Sequence, residues 1–151
     1  MKNKILLLII KSFLIVLFTT SVSKAEISYN KLAMIEVAIE DQAKDGCWTN
    51  IGEVRSYIEG SFRNKKVPVG EVLSNPYEKK YTFMVTTFGG RIRNGVCIGN
   101  VEIDLWAGML IGDIFHAATA FQRQSLLVSN PNKNLNNQIL DVVGEALRDL
   151  N

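Results

Sequence analysis

Cys47 and Cys97 are the only cysteines in the chain. An intramolecular bridge can therefore join only residue 47 to residue 97, and the fold must bring those two backbones within about 6 Å. Cys47 stands just ahead of a helix start, in Cys47-Trp48-Thr49-Asn50, whereas Cys97 lies in a run of alternating polarity. A helix start must then sit against one face of a strand, which selects a fold with helices packed on a sheet.

The compartment bears on whether such a bridge forms. Lys2 and Lys4 precede the apolar runs Ile5–Ile10 and Ser12–Phe18, and Ser23-Lys24-Ala25 places small residues ahead of Glu26. This is the pattern of a secretory signal peptide, so residues 1–25 are expected to be cleaved and 26–151 to form a single domain. An uncleaved anchor is the rival reading. Lys11 counts against it, at roughly 2.5–3.5 kcal/mol for a lysine in mid-span. In an exported chain an even pair of cysteines reads as a structural disulfide. The other reading is a reactive thiol with its pKa lowered at a helix N-terminus. Cys47 has that position, but it lacks a CxxC partner.

Seventeen basic and fifteen acidic residues leave the precursor slightly positive. Four of the lysines lie in residues 1–25, so the mature chain carries 13 bases and 15 acids, or −2. Such a chain has no general attraction to nucleic acid or to an anionic membrane surface. After signal removal no apolar run is long enough to span a bilayer. The expected location is periplasmic or extracellular.

Residues 31–40 fit either a strand, with Ile35, Val37 and Ile39 alternating, or a helix through Leu32, Ile35 and Ile39. The strand is preferred, because Gly46 then serves as turn chemistry. Asn50–Arg63 predicts a helix, with Asn50 as cap, Glu53 completing a capping box, and Ile51, Val54, Ile58 and Phe62 on one face. Tyr81–Phe88 and Val96–Trp106 alternate as strands around turn signals at Gly89-Gly90 and Asn94-Gly95. Phe115–Val128 reads as a further strand with Phe115, Ala117, Phe121 and Leu127 of one parity, and Asn134–Leu150 as a closing amphipathic helix. The predicted class is α+β in the order β-α-β-β-β-α, with two helices on one face of a mostly antiparallel sheet.

Chemistry is sparse along this chain. His116 is the only histidine, with Asp113 three residues before it and Ser125 and Ser129 as distant candidates. No nucleophile elbow accompanies them. Glu102 and Asp104 share a strand face about 7 Å apart, a spacing at which paired carboxylates can run glycoside hydrolysis. Two cysteines and one histidine in no ligand spacing supply no closed metal shell, and no cofactor motif is present. Trp106–Phe115 is the most suggestive stretch. Met109, Leu110 and Ile111 fall between Gly108 and Gly112, where a hairpin loop is expected, and with Trp106 they form a candidate interaction surface. The reading preferred over a loop is a strand that simply continues to Ile111 and turns at Gly112-Asp113.

These features favour a non-enzymatic exported protein that works by protein–protein contact, as an accessory subunit, inhibitor or immunity-type protein. The rivals are a small envelope hydrolase using His116 or Glu102 and Asp104, and a binder of a small ligand near Trp48 or Trp106.

Overall fold

The computed structural model describes residues 29–70, 80–111 and 114–150. The expected signal segment and the Gly112-Asp113 turn lie outside these residues. A 3-10 turn at Tyr29–Lys31 leads into strand β1 (Ile35–Ala43), helix α1 (Ile51–Asn64), strands β2 (Lys80–Arg91), β3 (Cys97–Ile111) and β4 (Ile114–Val128), and helix α2 (Asn136–Asp149). The strands form one mixed sheet in the order β1-β2-β3-β4. β1 pairs parallel to β2, from Ile35 opposite Tyr81 to Ala43 opposite Gly89, and the other two pairings are antiparallel. The class is α+β, with the predicted order of elements.

Parallel pairing of β1 and β2 needs a crossover, and α1 supplies it. Asp45 (φ 58°) and Gly46 (φ 69°) turn the chain out of β1 through left-handed conformations, which an aspartate and a glycine adopt at little cost. α1 then buries Val54, Ile58 and Phe62 at four-residue spacing. Its end is a Schellman motif. The Val67 amide donates to the Phe62 carbonyl at 3.0 Å and the Lys66 amide to the Arg63 carbonyl at 2.9 Å, with Lys66 at φ 62°. Val67 is buried in the same core as Phe62.

At its other end α1 departs from the expected capping box. The Asn50 side chain makes no bond to the helix amides. Its carbonyl oxygen accepts from the Trp48 indole at 2.9 Å and its amide donates to Glu53 at 2.8 Å, so it fixes Trp48 instead.

The core lies between the helices and one face of the sheet. Val37 of β1, Phe83 and Val85 of β2, Val101, Ile103 and Leu105 of β3 and Leu127 of β4 meet Ile58 and Phe62 of α1 and Ile139, Val143 and Ala146 of α2. α1 covers β1, and α2 covers β3 and β4. Tyr29, Phe62 and Phe83 stack edge to face at 5.6 and 5.5 Å, and the Tyr29 hydroxyl donates to the Leu147 carbonyl. The disulfide joins Cys47 to Cys97, both fully buried. Around it, the Leu135 amide donates to the Cys47 carbonyl at 2.8 Å and the Ser129 hydroxyl accepts the Cys97 amide at 2.9 Å. The start of each helix and the first residue of β3 are thus fastened together. Gly99 belongs to the same crowded end. A Cβ there would stand 2.6 Å from the Phe88 carbonyl oxygen, so the close approach of β2 and β3 requires glycine.

β3 runs on to Ile111, which pairs with Ile114, in keeping with the preferred reading of this stretch as a continuing strand. One expectation for β4 is corrected: the single parity assigned to Phe115, Ala117, Phe121 and Leu127 fails. Leu105 pairs with Phe121 but Trp106 pairs with Thr119, so Ala120 is an extra residue in β4. This bulge flips the side-chain alternation, leaving Ala117 exposed while Leu127 is buried.

Candidate functional site

Both helices pack on one face of the sheet, and no helix among the described residues covers the opposite face. Its side chains come from the even residues of β2, β3 and the second half of β4, in rows set by the register. Phe88 lies opposite Asn100, which lies opposite Leu126; Gly90 lies opposite Ile98, which lies opposite Val128. Phe88, Ile98, Leu126 and Val128 are 41, 38, 76 and 53 % exposed, and together they form an apolar corner across three strands. The sequence carried a signal for it in Leu126-Leu127-Val128. Three apolar residues in a row along a strand cannot all face one core, so one parity must face outward.

The middle of this face is polar. Glu102 lies between Thr86 and Gln124, and Asp104 between Met84 and Gln122. The Gln122 amide donates to Glu102 at 2.7 Å. Asp104 is only 6 % exposed. Burial, with Glu102 adding to it, raises the Asp104 carboxyl above its ordinary value, while a hydrogen bond from Gln122 acts the other way.

The sign for stability follows from the raised value. Ionising Asp104 costs more in the folded than in the unfolded protein. Its contribution is fully present below the ordinary aspartate value of 3.8 and is lost as pH rises through the raised folded value. Asp104→Asn is therefore expected to raise the melting temperature at pH 7 and to leave it nearly unchanged at pH 3. A variant no more stable than the parent at pH 7 would contradict this account of Asp104.

Beyond this row, Trp106 is exposed and pairs with Thr82 and Thr119. β2 is described from Lys80, which pairs with Gly108. Past that point β3 and β4 continue as a ribbon, with Met109 opposite His116, Leu110 opposite Phe115 and Ile111 opposite Ile114. Ile114 is largely exposed. The register therefore puts Met109, Leu110 and Ile111 at the end of the ribbon and Trp106 just before it, beside β2.

The candidates for a histidine-dependent site are dispersed among the described residues. His116 is exposed on this ribbon, and Asp113 falls outside the described residues. Ser125 pairs with Val101, far along the same strand. The Ser129 hydroxyl is engaged with the Cys97 amide and with the Asn130 and Lys133 carbonyls. Trp48 is buried beside the disulfide, with its indole on Asn50. Clefts of about 450, 530 and 230 Å³ open beside the helices. None of these three is lined by Trp48 or Trp106. Arg91 donates to the Gly95 and Lys133 carbonyls and ties the β2–β3 hairpin to the loop before α2. Among the described residues no group of three or more His, Cys, Asp or Glu could hold a metal ion, and no helix is long and apolar enough to cross a membrane.

No family model matches the chain, and no curated protein matches it. Solved structures with some likeness include the rare lipoprotein B from Shewanella oneidensis. That likeness has 8% identity and a TM-score of 0.37, over 76% of this chain and 90% of the other. A second, described only as an uncharacterized protein, has 13% identity and a TM-score of 0.31, over 82% of this chain and 88% of the other. At these scores neither structure transfers a fold or an activity to this chain.

Proposed function

We propose that the chain is a small exported protein of the cell envelope that works without catalysis, by protein–protein contact through the sheet face opposite α1 and α2. An accessory subunit, an inhibitor or an immunity-type protein would all work in this way. The observation that carries the reading is the apolar corner of Phe88, Ile98, Leu126 and Val128, four large side chains left exposed side by side. Trp106, and the ribbon beyond it that carries Met109, Leu110 and Ile111, extend the proposed contact surface along the same strands. Export is supported by the signal pattern in residues 1–25 and by the disulfide, since such bridges persist in oxidising compartments.

A photo-crosslinking residue placed in turn at Leu126, Trp106 and Leu110, in cells exporting the protein, tests this reading. A discrete adduct is expected from Leu126, reproducible with the purified components and weakened about tenfold or more by Phe88→Asp. Absence of an adduct from all three positions would overturn the contact reading.

A further inference from the structure

We propose that β4 pairs with β4 of a second copy of this chain, antiparallel about a two-fold axis at Gln124, so that the two sheets become one. This inference rests on the contact reading above and names its partner.

The two edges of the sheet are built differently. Along β1 the groups facing away from β2 are largely occupied. Ile35 exchanges hydrogen bonds with Pro68 and Gly70 at 3.0 and 3.1 Å, Arg55 donates to the Val37 carbonyl at 2.8 Å, and the Asp41 carboxylate accepts the Ala43 amide at 2.9 Å. Exposed Glu40 and Asp41 add like charge, which opposes self-pairing. These are the devices by which an edge strand is protected.

β4 has almost none of them. The Ser129 amide donates to the Cys97 carbonyl, so odd-numbered backbone groups in this part of β4 face β3. Those of Gln122, Gln124, Leu126 and Val128 then face outward. Among the described residues, only Gln138 reaches that edge, donating to the Val128 carbonyl at 2.9 Å. Residues 121–128 contain no lysine, proline or glycine. Their one charge, Arg123, sits on the helix side and is neutralised by Glu145 and Asp149. An uncharged edge can meet its own copy without repulsion, and a two-fold contact demands that self-complementarity.

The same features fix the register. The bulge at Ala120 interrupts the edge on one side and the Gln138 bond closes it at Val128 on the other. The point midway between these limits is Gln124. A two-fold axis there sets Gln124 opposite its own copy and Gln122 opposite Leu126 of the partner. Leu126, the most exposed large apolar side chain on this face, then packs along a neighbouring glutamine stem. The two apolar corners flank one continuous sheet.

The test is the mass of the purified, disulfide-intact protein by light scattering and sedimentation from about 1 to 100 µM. The expected result is a monomer–dimer equilibrium. Gln124→Pro removes an outward amide while leaving the bonds to β3, a substitution that edge strands tolerate. Gln124→Lys places two like charges on the axis. Each is expected to raise the dimer dissociation constant about tenfold or more, with the melting temperature of dilute protein unchanged. Gln124→Cys should crosslink two copies, since Cα atoms opposite one another in such a pair lie about 5.5 Å apart, and Glu40→Cys should not. A protein monomeric throughout this range, or a dimer indifferent to both Gln124→Pro and Gln124→Lys, overturns the inference. If such a monomer still forms a Leu126 adduct with a different protein, the second-copy inference falls and the contact reading stands.

Discussion

Replacing Cys47 and Cys97 together by alanine is expected to destabilise the protein by about 2–5 kcal/mol. The two residues lie 50 apart in sequence, and closing a loop of that length in the unfolded chain is worth about 4 kcal/mol on the chain-entropy account. Both are fully buried, so the exchange also leaves small voids against the core. A small domain has only about 5–15 kcal/mol in total, so the variant should sit close to its unfolding threshold at 37 °C. Urea unfolding of the variant and of the parent, followed by circular dichroism, gives the difference directly. Parent protein reduced in urea should unfold at nearly the same midpoint as the variant. A loss below about 1 kcal/mol would mean that the hydrogen bonds linking Leu135, Cys47, Cys97 and Ser129 hold that end of the molecule without the bridge.

Phe62→Ala is the second large effect, expected at about 3–5 kcal/mol. Phe62 is inaccessible to solvent, and its ring lies between Tyr29 and Phe83. Truncation removes transfer energy, leaves a cavity and breaks two edge-to-face contacts, each worth about 0.5–1.5 kcal/mol beyond area. The neighbours have little freedom to fill the space. Tyr29 is anchored through its hydroxyl to Leu147, Phe83 lies in an inner strand, and Val67 is held by the backbone bonds that end α1. Phe62→Leu keeps much of the volume and should cost less than half as much. Equal losses for the two variants would point to the aromatic contacts, with the cavity contributing little.

The order of the elements was legible because polarity patterns and turn residues agree along most of the chain. Val54, Ile58 and Phe62 marked a helix face, and the alternation of Val96–Trp106 marked a strand, whose Cys97, Val101, Ile103 and Leu105 are buried. Residues 31–40 stayed ambiguous because Ile35 and Ile39 satisfy both periods. Parallel pairing with β2 decides between them, and that partner lies far along the chain. Ala120 carried no signal of a bulge, since an alanine suits either face of a strand. Asn50 had the chemistry of a cap, yet the indole of Trp48 competes for its oxygen. For the candidate site, the apolar tip residues were visible as a run, while the corner of Phe88, Ile98, Leu126 and Val128 appears only once the register aligns three strands.

The crossover between β1 and β2 also bears on how quickly the fold is reached. The hairpins close across short turns, with Arg91 opposite Cys97 and Ile111 opposite Ile114, so β2, β3 and β4 can assemble from local pairings. β1 finds β2 only after α1 has been brought round, which makes its arrival the slow closure. Cys47 stands only a few residues beyond the end of β1, and Cys97 begins the strand beside β2. Once the bridge is made, the far end of β1 is already tethered near its place. The same covalent bond that deepens the native well therefore shortens the search that leads into it.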